Sequence, residues 1–230
     1  MLKIMKNKIT SITVCRKDSK RIKDKWASLI GDKTLIGHKI DTLKLCKNID
    51  HVVVGSNVPK IKDMCDLKNV THFWRDEYFC DESKCAANEM IYDMCSKVDA
   101  DIIVWAHCTN PLISHNTYDK AVKLFLRNKK EGYDSLLSVD IVKEHLWSTD
   151  KKPMNYNPYA KKHILAKDIA PLYKQNGAIF IQSKKDFISN KYFFGKKPFL
   201  FVTPKIESID INEVYDLQLA NIFLNTGGKK

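Results

Sequence analysis

The 230-residue sequence lacks the features of an exported or membrane-spanning protein. It has no run near the ~18 apolar residues of a membrane span, and residues 1–15 lack the apolar core of a signal peptide. Its seven cysteines make an odd number, and no two of them have C-x-x-C spacing. Unpaired thiols are typical of a reducing compartment. We therefore expect a cytoplasmic protein with free, buried cysteines and no membrane association.

Acidic residues are scarce relative to basic ones. The chain has 39 Lys and Arg against 27 Asp and Glu, a formal charge of +12, which favours anionic partners such as nucleotides, acidic sugars, nucleic acid or a membrane surface. The basic residues are spread along the chain without an Arg-rich amphipathic helix, which disfavours nucleic-acid binding. Tyr156, Tyr159 and Tyr173 lie among lysines, however, so a basic nucleic-acid-binding module remains an alternative.

The composition and the local patterns predict one globular domain over residues 1–230. Hydrophobic residues make up 44% and charged residues 29%, and the chain can bury a substantial core. Apolar, β-branched segments predict strands at 9–15, 51–56, 101–108, 134–140, 176–182 and 198–204. Three- and four-residue spacing of apolar residues predicts helices at 34–47, 83–97, 115–130 and 212–225. This alternation predicts an α/β fold with a doubly wound, mainly parallel sheet.

Two features near the predicted elements are distinctive. Segment 141–175 is rich in Lys, Asn, Pro and Tyr and has no clear period, which predicts an excursion from the sheet that serves as a lid, a substrate loop or a dimerisation arm. Asn212 is the predicted N-cap of the last helix, where Glu213 suits the positive end of the helix dipole.

A strongly basic segment, 16–25, directly follows the first predicted strand. A turn at the carboxyl end of a parallel strand is where open α/β sheets bind ligands, and its amides and cations suit a polyphosphate. The segment contains no glycine and no Walker A motif, so a solvated basic loop is the alternative. Further polar clusters at 74–81, 107–112 and 208–212 should converge on the same crevice. Separately, each could be a surface ion pair, a turn or a helix cap.

Six segments, taken in chain order, resemble the acylneuraminate (CMP-sialic acid) cytidylyltransferase family. They are CRKDSKRIKDK, WRDEYFCDES, HCTNPLI, DSLLSV, PLYKQNGAIF and ESIDINEVYDLQLA, and they span nearly the whole chain. The resemblance implies a Rossmann-like nucleotidyltransferase fold that binds CTP at its first loop. The residues implied to bind CTP are Arg16, Ser19, Lys20, Lys25, Arg75 and Asp81.

The same resemblance implies an acceptor site and a metal site. The residues implied to face an acidic sugar are His107, Thr109, Asn110, Lys174 and Asn176. His107 and Ile113 replace the family's glutamine and arginine, so the acceptor is less defined than the reaction. Asp210 and Asn212 stand where family members commonly carry two aspartates that bind Mg²⁺, and Mg²⁺ or Mn²⁺ is the expected cofactor, with Asp216 as a reserve carboxylate.

The implied reaction is transfer of CMP from CTP to a nonulosonic acid, such as a sialic, legionaminic or pseudaminic acid, with release of pyrophosphate. Arg16, Lys20, Lys25 and Asp210 are the implied catalytic residues, because fixed cations and a metal stabilise the charge of phosphoryl transfer. No residue is a clear general base. Kdo, a phosphonate or another small acid is the alternative acceptor. The resemblance also implies a homodimer and a role in glycan biosynthesis.

Overall fold

The computed structural model describes residues 7–226, and a seven-stranded sheet forms its centre. The strands are β1 (Ile9–Val14), β2 (Leu29–Ile30), β3 (Lys33–Thr34), β4 (His51–Ser56), β5 (Thr71–Trp74), β6 (Ile102–Ala106), β7 (Ser135–Val142), β8 (Leu172–Ser183) and β9 (Pro198–Val202). The main sheet has the order β5-β4-β1-β6-β8-β7-β9, and β2 pairs with β3 as a separate hairpin.

Only β8 runs against its neighbours in the main sheet. It pairs antiparallel with both β6 and β7, whereas the other adjacent strands of this sheet are parallel. The chain passes outward from β1 to β4 and β5, and it then returns to β6 on the other side of β1. The prediction of a doubly wound, mainly parallel sheet is confirmed.

Helices cover both faces of this sheet. They are α1 (Leu35–Lys44), α2 (Pro59–Leu67), α3 (Glu77–Cys80), α4 (Ala87–Lys97), α5 (His115–Lys129), α6 (Lys184–Asn190) and α7 (Val214–Thr226), with short 3₁₀ turns at Lys25–Ala27 and Ala166–Asp168. In the part of the chain that the structure describes, no helix is long and apolar enough to cross a membrane.

The alternation of side chains along β6 divides the core into two layers. Val104 packs beneath α5 on one face, whereas Trp105 packs beneath α4 and α6 on the other. Both are fully buried, as expected for a central strand that is covered on two sides. Helices α1 and α2 share the face of α5 and bury Ile40 and Ile61 against β4.

The predicted excursion 141–175 is shorter in the structure. Strand β7 extends to Val142 and β8 begins at Leu172, because residues 139–142 pair with residues 172–175, so the excursion spans only 143–171. Asn155 holds its base together: its amide oxygen accepts from the Leu146 amide at 3.0 Å, and its amide nitrogen donates to the Glu144 carbonyl at 2.8 Å. Strand β5 and helices α2 and α6 were not predicted.

Candidate functional site

A cleft of about 700 Å³ opens where β1 and β6 end. Between these two strands the chain order of the sheet reverses, and open α/β sheets bind ligands in the crevice at such a switch point. Residues from four separated segments line the cleft: 14–26, 75–90, 107–109 and Asn212. The prediction that polar clusters after several strands converge is therefore confirmed for these segments.

The residues predicted to bind CTP lie in this cleft, with one exception. Arg16, Ser19, Lys20, Lys25 and Arg75 all line it. Asp81 is not among the lining residues, because its carboxylate closes a local turn: it accepts from the Ser83 amide at 2.9 Å and from the Ser83 hydroxyl at 2.6 Å. These two hydrogen bonds lower the pKa of Asp81 to about 2.

Glu82, which sequence reasoning missed, extends into the cleft instead of Asp81. Its carboxylate forms an ion pair with Arg16, and its second oxygen lies 3.8 Å from Lys20 Nζ. Arg16 is also held by the Cys80 carbonyl, at 2.9 Å from Nη1. The Glu82 side chain is 57% exposed. An exposed acidic group therefore pairs with the two cations that an anionic ligand would need.

Arg75 is a buried cation in the wall of the cleft. Only 4% of it is exposed, and its guanidinium donates to the carbonyls of Cys15, at 3.2 Å, and of Phe79. Its Nε is buried without a hydrogen-bond partner among the described residues. Burial lowers the pKa of Arg75. Arg75 thus ties the end of β1 to the turn that contains Phe79.

The opening basic loop is also tied to the segment that precedes α7. Lys25 Nζ donates to the Ile211 carbonyl at 2.8 Å, and Arg21 Nη2 donates to the Asn212 amide oxygen at 2.6 Å. Burial is the main cause that lowers the pKa of Lys25, and nearby Arg21 lowers it further. Two cations from one end of the sequence therefore fix the position of Asn212 at the other end.

His107 lines the cleft, but both of its ring nitrogens are used by the protein. Trp105 Nε1 lies 3.3 Å from Nε2, and the Gly177 carbonyl lies 2.5 Å from Nδ1. Because the indole N–H can only donate, Nε2 accepts and Nδ1 carries the proton. Burial lowers the pKa of His107, which favours this neutral form. The ring braces β6 against β8.

Asn110 and Asn176 lie behind the cleft and are buried. The amide of Asn176 is fully hydrogen-bonded: its oxygen accepts from Ser138 Oγ at 2.6 Å and from the Ala178 amide at 3.2 Å, and its nitrogen donates to Asp140 at 2.9 Å and to Thr203 at 2.8 Å. This network joins β7 and β8 to the end of β9. Asn110 Oδ1 is buried without a partner among the described residues.

A second cleft, of about 1070 Å³, adjoins the first. It is lined by Asp140, Lys174 and Asn176 from the β7–β8 pair, and by Asp210 and Asn212 from the segment before α7. Asn212 lines both clefts, so the two spaces meet at its side chain. Lys174 Nζ lies 3.9 Å from the Asp140 carboxylate, and its side chain is 69% exposed.

The residues predicted to bind a metal lie at this junction. Asn212 Nδ2 donates to the Asp210 carboxylate at 2.8 Å, while its amide oxygen faces Arg21. Within residues 7–226 there is no group of three or more His, Cys, Asp or Glu side chains arranged to hold a metal ion. Asp210 fits Mg²⁺ as one carboxylate ligand, because Mg²⁺ commonly takes its other oxygens from substrate phosphates and water.

Asp216, which was expected to be a reserve carboxylate for the metal, binds the backbone that precedes α7. Its carboxylate accepts from the backbone amides of Asn212, at 2.9 Å, and of Glu213, at 2.8 Å. Helix α7 begins only at Val214, so the prediction that Asn212 is its N-cap is wrong. The Asp216 carboxylate reaches back to satisfy amides that precede the helix, which leaves the Asn212 side chain to bond Arg21 and Asp210.

Lys39 is a buried residue behind the site that sequence reasoning missed. It is 0% exposed, and its Nζ donates to the Asn110 carbonyl at 2.8 Å and to the Tyr118 hydroxyl at 2.7 Å. Burial lowers its pKa to about 7. Its spacing from Ile36 and Leu43 on the apolar face of α1 was the available signal.

A sequence profile described as Cytidylyltransferase matches residues 11–217. The N-acylneuraminate cytidylyltransferase of Escherichia coli is 23% identical over 94% of this chain and 52% of its own length. The CMP-N,N'-diacetyllegionaminic acid synthase of Legionella pneumophila is 26% identical over 92% of this chain and 94% of its own. The chain thus spans about half the length of the Escherichia coli relative.

Solved structures share the fold at lower identity. A CMP:2-keto-3-deoxy-manno-octonic acid synthetase complexed with CTP has a TM-score of 0.67 at 12% identity, over 96% of this chain and 99% of its own. A 4-diphosphocytidyl-2C-methyl-D-erythritol synthase from Anaerococcus prevotii has a TM-score of 0.65 at 12% identity, over 95% and 96%. The predicted Rossmann-like nucleotidyltransferase fold is therefore confirmed.

Proposed function

The chain belongs to the cytidylyltransferase family, and on that premise we propose that it transfers CMP from CTP to an acidic sugar with release of pyrophosphate. The observation that carries this proposal is the pair of adjoining clefts. One is lined by Arg16, Lys20 and Lys25, and the other contains Lys174, and they meet at Asn212. Two anionic substrates could therefore bind side by side.

The first cleft suits the triphosphate of CTP. Arg16, Ser19, Lys20 and Lys25 supply charge and hydrogen bonds for phosphate oxygens, and charge that is already fixed in place stabilises a transition state without reorganisation. Phosphates that bind to Arg16 and Lys20 must displace the Glu82 carboxylate. The acceptor hydroxyl then attacks the α-phosphorus in line, and pyrophosphate leaves toward the basic loop.

The second cleft suits the acceptor. We propose a nonulosonic acid, such as a sialic, legionaminic or pseudaminic acid, whose carboxylate pairs with Lys174. Thr109, which lines the first cleft, would face the sugar from the nucleotide side. The described hydrogen bonds of His107, Asn110 and Asn176 are to other parts of the protein, so we assign these residues to supporting the walls of the clefts. The product would be a CMP-sugar for glycan biosynthesis.

Asp210 is the residue that we propose to hold a divalent cation, Mg²⁺ or Mn²⁺, together with phosphate oxygens of CTP. Such a cation supplies neutralisation of phosphate charge and orientation of the α-phosphorus. Arg21 keeps the Asn212 amide nitrogen turned toward the Asp210 carboxylate, so Asn212 orients Asp210 rather than offering its own oxygen.

We also propose that the chain forms a homodimer through the arm of β7 and β8 and the excursion 143–171. Large apolar side chains are exposed there, among them Ile141, Trp147, Met154 and Tyr173, and interfaces are enriched in aromatic residues and Met. Light scattering of the purified protein should give twice the monomer mass, 26.6 kDa per chain. A monomer at tens of micromolar would contradict this part of the proposal.

The decisive test is a pyrophosphate-release assay with CTP, Mg²⁺ and a panel of acceptors: a sialic acid, a legionaminic acid, a pseudaminic acid, Kdo, a phosphonate and no acceptor. We expect release only with CTP and a nonulosonic acid. Release with Kdo or the phosphonate alone would reassign the acceptor. No release with any acceptor, combined with tight and salt-dependent binding of RNA or DNA, would refute the proposal in favour of a nucleic-acid-binding module.

Asp210→Ala provides the matched test of the metal ligand in the same assay. The variant should lose at least tenfold in rate at limiting Mg²⁺ and recover part of it at high Mg²⁺. Asp140→Asn, on β7 in the lining of the second cleft, should keep the Mg²⁺ dependence of the unmodified protein. A rate for Asp210→Ala equal to that of the unmodified protein at every Mg²⁺ concentration would remove Asp210 from the mechanism.

A further inference from the structure

Two cysteine thiols meet in the wall of the first cleft, to which we assign CTP. Strands β1 and β6 are parallel neighbours whose register pairs Ile12 with Trp105, so three residues further along Cys15 lies opposite Cys108. Their sulfur atoms are 3.4 Å apart. Both side chains line the cleft, and they are only 6% and 7% exposed. The residues that follow them, Arg16 and Thr109, also line the cleft.

The two thiols differ in acidity. Cys15 Sγ donates a hydrogen bond to Cys108 Sγ, which is the main cause that lowers the pKa of Cys108, and Lys39 and Lys25 lower it further against the effects of burial and Asp210. The pKa of Cys15 is raised well above its usual value. The other five cysteines also have raised pKa values. Among the seven, Cys108 therefore forms a thiolate most readily.

We propose that Cys15 and Cys108 are a modification site at which a small disulfide forms an intramolecular disulfide bond that stops CMP transfer. The Cys108 thiolate attacks one sulfur of the small disulfide, which forms a mixed disulfide and releases one small thiol. Cys15 gives its proton to solvent and attacks the Cys108 sulfur, which releases the second small thiol. Two protein thiols are oxidised by two electrons, and one small disulfide is reduced to two thiols.

The backbone geometry permits this bond. Cys15 and Cys108 lie just beyond the ends of the paired strands β1 and β6. Neighbouring strands lie about 4.7–4.9 Å apart, within the range of Cα separations of about 4.4–6.8 Å that disulfides span. The two sulfurs must nevertheless approach from 3.4 Å to about 2.05 Å. That movement, on the order of 1 Å, draws together the residues beside Arg16 and Thr109. A misplacement of about 1 Å in an active site costs on the order of 10²-fold in rate.

The part of the inference that concerns inhibition rests on the proposed function, whereas formation of the bond does not. The protein is titrated with mixtures of reduced and oxidised glutathione, and non-reducing peptide mass spectrometry follows the link between Cys15 and Cys108. Pyrophosphate release is measured on the same samples. We expect the link to form and the rate to fall by about 100-fold, with full recovery in dithiothreitol.

Single substitutions identify the thiols that form the inhibitory disulfide bond. Cys15→Ser and Cys108→Ser should each abolish the reversible loss of pyrophosphate-release rate, measured against the reduced form of the same variant. Cys80→Ser and Cys85→Ser test the other two thiols that line the cleft, and both variants should retain the loss of rate. Cys95→Ser, on the buried face of α4, should retain it as well. Cys15→Ala and Cys108→Ala replace either serine variant that fails to fold.

The outcomes separate the two proposals. If the link never forms while Cys80 or Cys85 becomes glutathionylated, the modification site is refuted whatever the enzyme's activity. If the link forms and the rate of pyrophosphate release is unchanged, the inhibitory role is refuted. A protein that forms the link but releases no pyrophosphate in its reduced form, with any acceptor, supports the site and contradicts the proposed function instead.

Discussion

Lys39 offers a test of how strongly the interior of this fold lowers the pKa of a buried amine. It is fully buried on α1, and its two hydrogen-bond acceptors, the Asn110 carbonyl and the Tyr118 hydroxyl, are neutral. Burial lowers its pKa from 10.5 to about 7. Replacing it with methionine keeps an unbranched side chain of similar length and removes the titrating group. The consequence should be a pH-dependent change in stability.

The direction in which stability changes with pH follows from proton binding. Between pH 7 and about 10 the unfolded chain holds a proton on Lys39 that the folded chain has largely released, so the folded state gains stability as pH rises. The full penalty for charging the buried amine at low pH is on the order of 5 kcal/mol. Between pH 7 and pH 9 the destabilisation of the folded state that this penalty causes falls by about 2 kcal/mol. Lys39→Met should therefore gain about 2 kcal/mol relative to the unmodified protein on going from pH 9 to pH 7.

The assay is urea unfolding at pH 7 and pH 9 in the presence of a reductant, followed by tryptophan fluorescence and linear extrapolation. The difference between variant and unmodified protein is the quantity to compare, because the titration of groups that do not interact with Lys39 cancels in that difference. Lys44→Met, on the exposed part of the same helix, is the control and should have the same effect at both pH values. A Lys39→Met effect equal at both pH values within about 0.5 kcal/mol would refute the reasoning.

Three further predictions concern the two clefts and their supports. Lys25→Met should lower the rate of pyrophosphate release by about 10²-fold, because it removes a fixed cation beside the phosphates, and an unchanged kcat would exclude that role. Glu82→Gln should tighten CTP binding by about 1.4-fold to 5-fold in calorimetry, since an exposed ion pair of about 0.2–1 kcal/mol no longer competes for Arg16; weaker binding would contradict this. Asn176→Leu should destabilise the fold by about 3 kcal/mol in thermal unfolding, because buried partners lose their hydrogen bonds, whereas Lys174→Met on the same strand should change it by under about 0.5 kcal/mol.

Burial explains why some strands could be predicted and others could not. Strands β1, β4 and β6 are covered on two faces, so they are uncharged segments rich in β-branched residues that can be recognised locally. Strand β5 lies at the edge of the sheet and buries none of its four residues fully, and α2 buries only Ile61 and Cys65. Their sequences carry little apolar signal, which explains why both were missed.

The candidate site likewise has residues that can be recognised locally and others whose role depends on the fold. A basic turn after the first strand is a local feature, so Arg16, Ser19, Lys20 and Lys25 could be proposed from the sequence alone. The choice between Asp81 and Glu82 depends on how one turn is rotated, because Ser83 retains the first carboxylate while the second reaches Arg16. Adjacent residues in a sequence carry no information about that rotation.

Local patterning thus determined the alternation of strands and helices, the mainly parallel sheet and the position of the basic loop after β1, since periodicity and turn position are properties of neighbouring residues. Only the tertiary structure decided which distant residues meet: Cys15 with Cys108, Lys39 with Asn110, and Arg21 with Asn212, which are 93, 71 and 191 residues apart in sequence. These contacts exist only once the strands have paired in register, because the sheet is what brings such separated segments within hydrogen-bonding distance.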